Sequence, residues 1–334
     1  MTGPAFVTGA DGFIGSHLVE ALLAEGQAVR ALALYDPRGG RGWLDDVLRD
    51  GPREGLEIVQ GDVRDAAQLK RQMAGCDIVY HLAALIGIPY SYEAPGSYVA
   101  TNIEGTLNVL DAARELGGMT VVQTSTSEVY GTAQTVPIDE AHPLRAQSPY
   151  AASKIAADQL ALSYHRAFGL PVTVVRPFNT FGPRQSRRAI IPTVIAQLAG
   201  GANTLSLGNL HPTRDLLYVT DTARGFLLAG RTEAALGEEI NLGTGQEISI
   251  GELARLIARL MGVEAEIVQD EARLRPAASE VERLCAGIAK AEDLLGWAPG
   301  GDGATSLEEG LRRTIAWFSD RPALAAERAL EYAR

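Results

Sequence analysis

The chain has 334 residues, of which 46% are apolar and 21% charged, and its formal net charge at pH 7 is −11. This acidic balance, with both signs interspersed, excludes nucleic acid and anionic membranes as main partners, but not a local basic pocket for a phosphorylated ligand. The two cysteines and five histidines show no metal-ligand spacing, so no metal site is predicted. Since we find neither a basic-then-apolar leader nor the roughly 20 apolar residues of a membrane span, we expect a cytoplasmic protein.

A glycine-rich turn stands near the beginning of the chain. A short apolar strand over residues 4–8 leads into Gly9, Gly12 and Gly15, after which apolar residues recur at helical spacing. A strand, a glycine turn and a helix in this order direct backbone N–H groups toward a space where a pyrophosphate can lie. Because a Cβ at these glycines would block the phosphates, the pattern predicts a dinucleotide site.

The choice between NAD and NADP depends on the end of the second predicted strand, residues 27–34. An acid at this end holds the ribose 2′-hydroxyl in NAD sites, but the usual position here is Ala33. Asp36 follows shortly after, with Arg38 and Arg41 beyond it. The missing acid and the nearby arginines slightly favour NADP, whereas Asp36 keeps NAD open.

Two further predicted strands, over residues 56–63 and 77–83, supply other candidate cofactor contacts. Asp62 ends the first and can accept a hydrogen bond from an adenine amine or cap a turn. The second ends at Ala83, whose small side chain lets a cofactor lie close to the backbone. His81 lies inside the same apolar run and is predicted to be a structural core residue.

The residues with catalytic potential lie where the fifth predicted strand ends and the next helix begins. Tyr150 and Lys154 share one face of that helix, and the ammonium is expected to lower the pKa of the phenol toward the range useful for proton transfer. Thr126 or Ser125 can hydrogen-bond the same substrate oxygen, and Glu128 adds a carboxylate. This pattern predicts an alcohol-oxidising site with one extra acid–base group.

Repeated strand–helix units predict an α/β fold of the Rossmann type, a doubly wound parallel sheet with a small C-terminal substrate-binding lobe. Residues 1–180 are assigned to the dinucleotide-binding domain, to whose sheet a strand near 239–243 returns. Residues 181–320 are predicted to form mainly the substrate lobe, because proline, glycine and arginine become common and the elements short. Residues 321–334 are expected to be a peripheral tail.

With the glycine motif, Tyr150-x-x-x-Lys154 and Asn179 in place, the chain resembles the extended short-chain dehydrogenase/reductases that act on nucleotide sugars. The resemblance covers residues 4 to about 319. It implies a tightly bound NAD or NADP and a substrate in which UDP, GDP or dTDP carries a hexose or N-acetylhexosamine. It also implies a homodimer, in which the apolar faces of the helices predicted over 97–116 and 150–168 pair across a two-fold axis; packing of the same faces as core is the alternative.

The triplet Thr126-Ser127-Glu128 is similar to that of the 4,6-dehydratases, particularly those acting on GDP-mannose and on nucleotide-linked N-acetylhexosamines. The run that begins at Leu85 and the one that begins at Arg184 most resemble the N-acetylglucosamine-type dehydratases of legionaminic-acid-like pathways. The dTDP-glucose dehydratases carry Asp where this chain has Ser127, which puts a separate proton donor for the leaving hydroxyl in doubt.

The resemblance implies a mechanism. Tyr150 takes the proton of the sugar 4-hydroxyl as C4 gives hydride to the nicotinamide, while Lys154 holds the phenolate and the nicotinamide ribose and Thr126 binds O4. Glu128, oriented by Ser127, then takes the C5 proton and helps the 6-hydroxyl leave. Return of the hydride to C6 makes a 4-keto-6-deoxy sugar.

Other functions stay open at this point. Nucleotide-hexuronate decarboxylases share the triplet, and the 4-epimerases of the family carry a small or apolar residue in place of Glu128. A non-catalytic protein that binds the dinucleotide to sense redox state is disfavoured by the intact Tyr150, Lys154 and Thr126.

The candidate catalytic residues are Thr126, Ser127, Glu128, Tyr150 and Lys154. The candidate cofactor contacts are Gly9, Asp11, Gly12, Phe13, Ile14, Gly15, Asp36, Arg38, Asp62, Val63, Leu82, Ala83, Ala84, Asn102, Thr124, Tyr150, Lys154 and Pro177. The candidate substrate ligands are Ser91, Ser125, Thr126, Glu128, Tyr150, Asn179, Arg184, Arg214 and Arg275. Arginine suits a diphosphate because its fork makes paired charge-assisted bonds, and Arg214 and Arg275 resemble the family's phosphate-contact positions.

Overall fold

The structure is a computed structural model that describes residues 3–274, 276–300 and 306–321. Its strands are β1 Ala5–Thr8, β2 Val29–Ala33, β3 Leu56–Gln60, β4 Ile78–His81, β5 Thr120–Thr124, β6 Val172–Pro177, β7 Asn179–Phe181, β8 Thr204–Leu207, β9 Thr213–Arg214, β10 Leu216–Tyr218, β11 Glu239–Leu242, β12 Ile248–Ser249, β13 Glu266–Gln269 and β14 Arg283–Leu284. Its α-helices are α1 Phe13–Ala24, α2 Leu44–Val47, α3 Ala66–Met73, α4 Ile88–Glu93, α5 Pro95–Tyr98, α6 Gly105–Glu115, α7 Pro149–Phe168, α8 Ile190–Ala199, α9 Val219–Arg231, α10 Ile250–Met261, α11 Ala289–Leu295 and α12 Leu307–Ser319.

Seven strands form one parallel sheet in the order β11-β6-β5-β4-β1-β2-β3. The chain builds β1, β2 and β3 outward and then returns to the other side of β1 with β4. Open α/β sheets bind ligands at the carboxyl ends of the strands beside such a reversal. The sheet confirms the predicted Rossmann-type fold, including the late return of the chain as β11 beside β6.

Both faces of the sheet are covered by helices, which explains why its strands are nearly continuous apolar runs. Along β1, Val7 packs in the cluster that contains α1 and α9, whereas Phe6 packs in the cluster that contains α3, α6 and α7. This alternation is the period-2 pattern of a strand. Helix α9 falls in the range predicted to be mainly substrate lobe, yet it packs against α1 on the sheet.

A third apolar cluster joins α8, α10 and α12 to strands outside the main sheet. These strands form small sheets, in which β7 pairs with β10, β9 with β12 and β14, and β8 with β13. The helix predicted over 150–168 forms as α7, Pro149–Phe168, but most of the short strands were not predicted, since two to four residues show no periodicity. The predicted tail from 322 onward lies outside the described residues, and the division into two domains stays a prediction.

The two helices that flank the site begin in different ways. The predicted helix over 97–116 forms as α5, a π-helical segment Val99–Glu104 and α6. Ser148 caps α7 by accepting a hydrogen bond from the Ala151 N–H at 3.1 Å. A proline follows at the first helical position, where the helix does not need the N–H that proline lacks. In the part of the chain that is described, no helix has both the length and the apolarity to cross a bilayer.

Candidate active site

The glycine turn after β1 leaves an open cradle at the N-terminus of α1. Gly9 has φ +64°, and a Cβ there would lie 2.8 Å from the Ala83 nitrogen. A Cβ on Gly15 would lie 2.1 Å from the Gly9 oxygen. Gly12 caps α1 with no side-chain acceptor, so the first-turn N–H groups are available to a ligand. These features fit the pyrophosphate of a dinucleotide.

A threonine at the end of β1 fixes the backbone after β4. The Thr8 hydroxyl oxygen accepts hydrogen bonds from the Leu82 and Ala83 N–H groups, both at 3.1 Å. Its proton goes to Nδ1 of His81 at 2.8 Å. The strand-end backbone that would lie against a cofactor is therefore held by side chains of the sheet itself.

His81 continues this chain of hydrogen bonds into the helix on the other side. Its Nε2–H donates to the Thr106 hydroxyl at 3.1 Å, which in turn donates to the Asn102 carbonyl oxygen at 2.7 Å. Burial, with a smaller effect of the Lys154 charge, lowers the pKa of His81 to about 3. His81 is thus a neutral core residue with one tautomer, which confirms that prediction.

Asn102 acts as a brace in this structure. Its Oδ1 accepts from the Leu85 N–H at 2.8 Å, and its Nδ2 donates to the Leu85 oxygen at 3.0 Å and to the Ser153 hydroxyl at 2.9 Å. These contacts tie the loop after β4 to α7. The direct cofactor contact predicted for Asn102 stays a prediction, and its visible role is positional.

The acidic cofactor candidates at the outer strands have protein partners. Asp11 accepts from the Leu34 N–H at 3.0 Å, at the end of β2. Asp36 accepts from the backbone N–H of Arg38 at 2.9 Å and from its Nε at 3.2 Å, and these bonds lower the pKa of Asp36. Asp62 makes the same kind of pair with Arg64, whose Nε lies 3.0 Å away. Arg38 is thus paired with Asp36 and remains exposed.

The remaining cofactor candidates line the carboxyl edge of the sheet: Phe13 and Ile14 in the first turn of α1, Val63 after β3, Ala84 after β4, Thr124 at the end of β5 and Pro177 at the end of β6. Thr124 has unused hydrogen-bonding capacity, because its buried Oγ1 has no partner among the described residues.

Three of the predicted catalytic groups converge at the N-terminus of α7. Thr126 caps the 3-10 helix Ser127–Tyr130, and its Oγ1 accepts from the Glu128 N–H at 3.2 Å. The Thr126 side chain lies near the Tyr150 phenol and opposes the rise in its pKa, and the charge of Glu128 adds to that rise. A hydroxyl and a phenol therefore lie in one region of the site, and the charge of the Glu128 carboxylate acts on the phenol.

The expected fall in the pKa of Tyr150 does not occur in this structure. Burial raises the pKa of Tyr150; the bond to Thr126 opposes this rise, and the negative charge of Glu128 adds to it. Lys154 is itself buried, which lowers its own pKa to about 8. Desolvation of both groups outweighs the attraction expected from their spacing on one helix face.

Two serines predicted to bind substrate are engaged elsewhere. The Ser125 hydroxyl, in a residue only 3% exposed, donates to Oδ2 of Asp158 at 2.7 Å, which places it beneath the site. Ser91 is fully buried and donates to the Ile88 oxygen of its own helix at 2.6 Å. Ser127 is also buried. The structure thus differs from the predicted substrate contacts of Ser125 and Ser91, because both hydroxyls donate to protein acceptors. The sequence shows that a hydroxyl is near a site but not which way it turns.

The arginines predicted to bind phosphate have different surroundings in the structure. Arg184 makes two bonds of 2.8 Å to the Glu20 carboxylate and one of 3.1 Å to Asp46, so it joins α1 and α2 to the segment after β7 and is not free for a diphosphate. Arg214 is buried and pairs with Glu280 at 3.5 Å. Arg275 lies outside the described residues. Asn179 is half-buried at the start of β7.

A buried polar network behind the site was missed by the sequence reasoning. Arg176 of β6 donates to Asp158 from Nε and Nη2, both at 3.2 Å, and to the Tyr130 hydroxyl at 3.1 Å. Tyr130 in turn donates to Oδ1 of Asn241 at 2.8 Å. The spacing of Asp158, four residues after Lys154, was a usable signal, because such residues share a helix face.

Gln147 fastens a segment of the C-terminal half beside the catalytic helix. Its Nε2 donates to the Ala278 and Glu280 oxygens at 3.2 and 3.1 Å, and its Oε1 accepts from the Thr132 N–H at 2.6 Å. The Ser279 hydroxyl donates to the Gln147 oxygen at 2.8 Å. Because Glu280 also pairs with a buried arginine, this segment connects the catalytic helix to the candidate substrate ligands.

The chain is similar to known dehydratases and epimerases that act on nucleotide sugars. A family profile described as GDP-mannose 4,6 dehydratase matches residues 6–314. A dTDP-glucose 4,6-dehydratase of Streptomyces antibioticus is 37% identical over 321 residues, which cover 95% of this chain and 92% of that protein. A UDP-glucose 4-epimerase of Mycolicibacterium smegmatis is 33% identical, with 94% of this chain and 98% of that protein covered. The crystal structure of DesIV, a dTDP-glucose 4,6-dehydratase from Streptomyces venezuelae with NAD bound, superposes with a TM-score of 0.85 at 33% identity, covering 96% of this chain and 98% of that one.

Proposed function

The chain belongs to the GDP-mannose 4,6 dehydratase family of extended short-chain dehydrogenase/reductases, and we propose that it is a nucleotide-sugar 4,6-dehydratase. It converts a hexose linked to dTDP, UDP or GDP into the 4-keto-6-deoxy sugar nucleotide. The observation that carries this proposal is the convergence of Glu128 with Thr126 and Tyr150. A site for alcohol oxidation alone needs no carboxylate there, whereas water elimination needs a base for the C5 proton.

The residues divide the chemistry between them. Tyr150 takes the proton from the sugar 4-hydroxyl, and Thr126 donates a hydrogen bond to O4. Lys154 places a positive charge near the phenol and so offsets the cost of its ionisation. A dinucleotide held at the glycine turn and the strand ends would supply the hydride acceptor for C4 and the hydride donor for C6. C5 takes up a proton as C6 receives the hydride, which balances the proton that Tyr150 removed.

Glu128 performs the step that distinguishes a dehydratase. The 4-ketone acidifies the C5 proton, Glu128 removes it, and the same carboxyl group gives a proton to the departing 6-hydroxyl. Ser127 stands where the dTDP-glucose dehydratases have Asp, so a single acid–base group serves both transfers. Each such transfer contributes about 10²–10⁴-fold to the rate.

We propose NAD as the cofactor, although the sequence slightly favoured NADP. Arg38 is paired with Asp36 and its side chain is 89% exposed, so the pair offers a 2′-phosphate little net positive charge. The related DesIV structure holds NAD. Dissociation constants for the two dinucleotides test this, and tighter binding of NADP would contradict it.

Glu128→Gln tests the function. We expect the variant to oxidise C4, seen as absorbance of the reduced cofactor in a single turnover, but to release no water from the sugar. Glu93→Gln, which removes an exposed acid on α4, is the matched control and keeps both steps. Mass spectrometry of the product from a panel of sugar nucleotides identifies the substrate, and normal elimination by Glu128→Gln would refute the assignment.

A 4-epimerase is the second candidate, because a UDP-glucose 4-epimerase is 33% identical to the chain. The two reactions separate by mass: epimerisation conserves it, dehydration removes one water, and decarboxylation of a hexuronate removes carbon dioxide. Glu128 favours dehydration, since the epimerases of the family carry a small or apolar residue at its position.

We also propose a homodimer that pairs the helices over 97–116 and 150–168. Val99 and Phe168 are apolar side chains on these helices and are 45% and 54% exposed. Covering such side chains against a second copy is favourable by about 25 cal/mol per Å² of apolar area. Light scattering tests this, and a monomer at micromolar concentration would contradict it.

A further inference from the structure

The buried carboxylate of Asp158 lies one helical turn beyond Lys154 and has no part in the proposed mechanism. Asp158 is fully buried on α7. One of its oxygens, Oδ2, accepts the Ser125 hydroxyl at 2.7 Å and two N–H groups of Arg176 at 3.2 Å. Its other oxygen, Oδ1, is buried without a hydrogen-bond partner. A buried oxygen with no donor is costly, which calls for a physical reason.

The hydrogen bonds show that Asp158 is ionised. Arg176 is 1% exposed and does not lose its proton in proteins, so it requires a buried anion, and Asp158 is the carboxylate that it contacts in the interior. A protonated Asp158 would carry its proton on Oδ1, where the structure offers no acceptor. Burial raises the pKa of Asp158, while the charges of Arg176 and Lys154 and the Ser125 hydrogen bond oppose that rise.

We propose that Asp158 is the counter-ion that keeps Lys154 protonated inside the active site, and that Ser125 and Arg176 hold it in place. Asp158 is therefore a positioning residue, which acts through Lys154 and not on the substrate. The inference rests on the proposed role of Lys154, but it is independent of which sugar nucleotide is bound. Oδ1 has no hydrogen-bond partner, so Asp158 acts on Lys154 through its charge across the buried interior and not through a hydrogen bond.

Lys154 needs such a partner because it is 3% exposed. Burial lowers its pKa to about 8, and the charge of Asp158 already opposes that fall. At pH 7.5 a lysine with a pKa of 8 is about three-quarters charged, and one with a pKa of 7 is about one-quarter charged. Loss of the Asp158 charge would thus lower the charged fraction of Lys154, and a neutral lysine cannot stabilise a phenolate.

The other groups around Lys154 do not replace Asp158. From β4, His81 interacts with the lysine but is neutral above a pKa of about 3. On α7 itself Tyr150 is a neutral phenol whose ring packs against Tyr98 of α5 at 6.3 Å, and from the 3-10 helix Glu128 acts on that phenol. From β6, Arg176 is positive and opposes protonation of Lys154. Further along, the charges of α6 at Asp111 and Arg114 are engaged with Tyr164. 

The chain offers a direct measurement, since it contains only three lysines: Lys70, Lys154 and Lys290. Incorporation of ¹³C-lysine gives three side-chain signals, which Lys70→Arg and Lys290→Arg assign. We expect Lys154 to titrate near pH 8, and Asp158→Asn to lower its midpoint by about one pH unit or more, a tenfold loss of proton affinity. The signals of Lys70 and Lys290 serve as internal references and do not move.

Glu239→Gln is the matched control. Glu239 also contacts Arg176, at 3.5 Å, but from β11 and with a side chain that is 24% exposed. We expect this variant to change the Lys154 midpoint by less than about 0.3 pH units, because its charge is solvated and lies beyond Arg176. In activity, Asp158→Asn moves the alkaline limb of the kcat/KM profile down by the same amount as the titration. An Asp158→Asn variant with an unchanged Lys154 midpoint would overturn the proposal, whatever its activity.

A second pair of variants covers the case in which Asp158→Asn does not fold. Counter-ions are coupled, so Asp158→Asn must cost less stability in a Lys154→Met background than in the wild type. Recovery of a folded protein by Lys154→Met/Asp158→Asn supports the proposal. If the double variant is as unstable as the sum of the two single changes, the charge of Asp158 serves Arg176 alone and the proposal fails. Neither outcome depends on turnover, so both are distinct from a failure of the dehydratase assignment.

Discussion

Arg184→Met separates a structural arginine from a substrate ligand. The guanidinium makes two 2.8 Å bonds to Glu20 and one of 3.1 Å to Asp46. Breaking a fully buried ion pair costs about 3–5 kcal/mol. Glu20 is 37% exposed and can rehydrate, and Asp46 keeps a 3.1 Å bond from Arg321. We therefore expect the free energy of unfolding to fall by about 2–3 kcal/mol.

Urea denaturation measures this loss, and steady-state kinetics measures the KM for the sugar nucleotide. Arg188→Met, an exposed arginine in the same loop, is the control and should change stability by no more than about 0.5 kcal/mol. We expect the KM of Arg184→Met to stay within about threefold of the wild type, because its guanidinium is held by Glu20, Asp46 and Ser16. Unchanged stability with a KM raised more than about tenfold would refute this reasoning and restore the substrate role.

Two further predictions concern His81 and Gln147. Because the folded state protonates His81 only near pH 3 and an unfolded histidine does so near 6.5, the unfolded state binds more protons between these values, and stability falls as the pH falls. Between pH 7.5 and 5 this lowers the free energy of unfolding by about 2 kcal/mol. Denaturation curves at these two pH values should therefore show a smaller loss of stability for His81→Gln than for the wild type. Equal losses would contradict the buried neutral tautomer. Gln147→Ala should raise the KM for the sugar nucleotide about tenfold, the worth of one or two hydrogen bonds, with kcat and bound cofactor little changed. A fall in kcat alone would place Gln147 in the chemistry.

The parallel sheet and its cofactor edge were predictable because their signals are local. A strand, a glycine turn and a helix occupy adjacent residues. Gly9 and Gly15 must be glycines because a Cβ there would collide with backbone atoms of the same turn or of the segment after the neighbouring strand. The convergence of Thr126, Glu128 and Tyr150 was predictable for a similar reason. The carboxyl ends of neighbouring parallel strands lie at one edge, and the helix that follows begins there.

The sequence by itself determined which apolar runs form the strands of the main sheet, where the glycine turn lies and which helix face carries Tyr150 and Lys154, since each follows from spacings within a few residues. Only the tertiary structure decided which charges meet. Arg184 pairs with Glu20 across 164 positions, and Arg176 reaches Tyr130 across 46. An arginine in a sequence carries the same charge whether it faces a diphosphate or a buried carboxylate. Its partner, and the desolvation that raises the pKa of Tyr150 and lowers that of Lys154, exist only once distant segments have packed together.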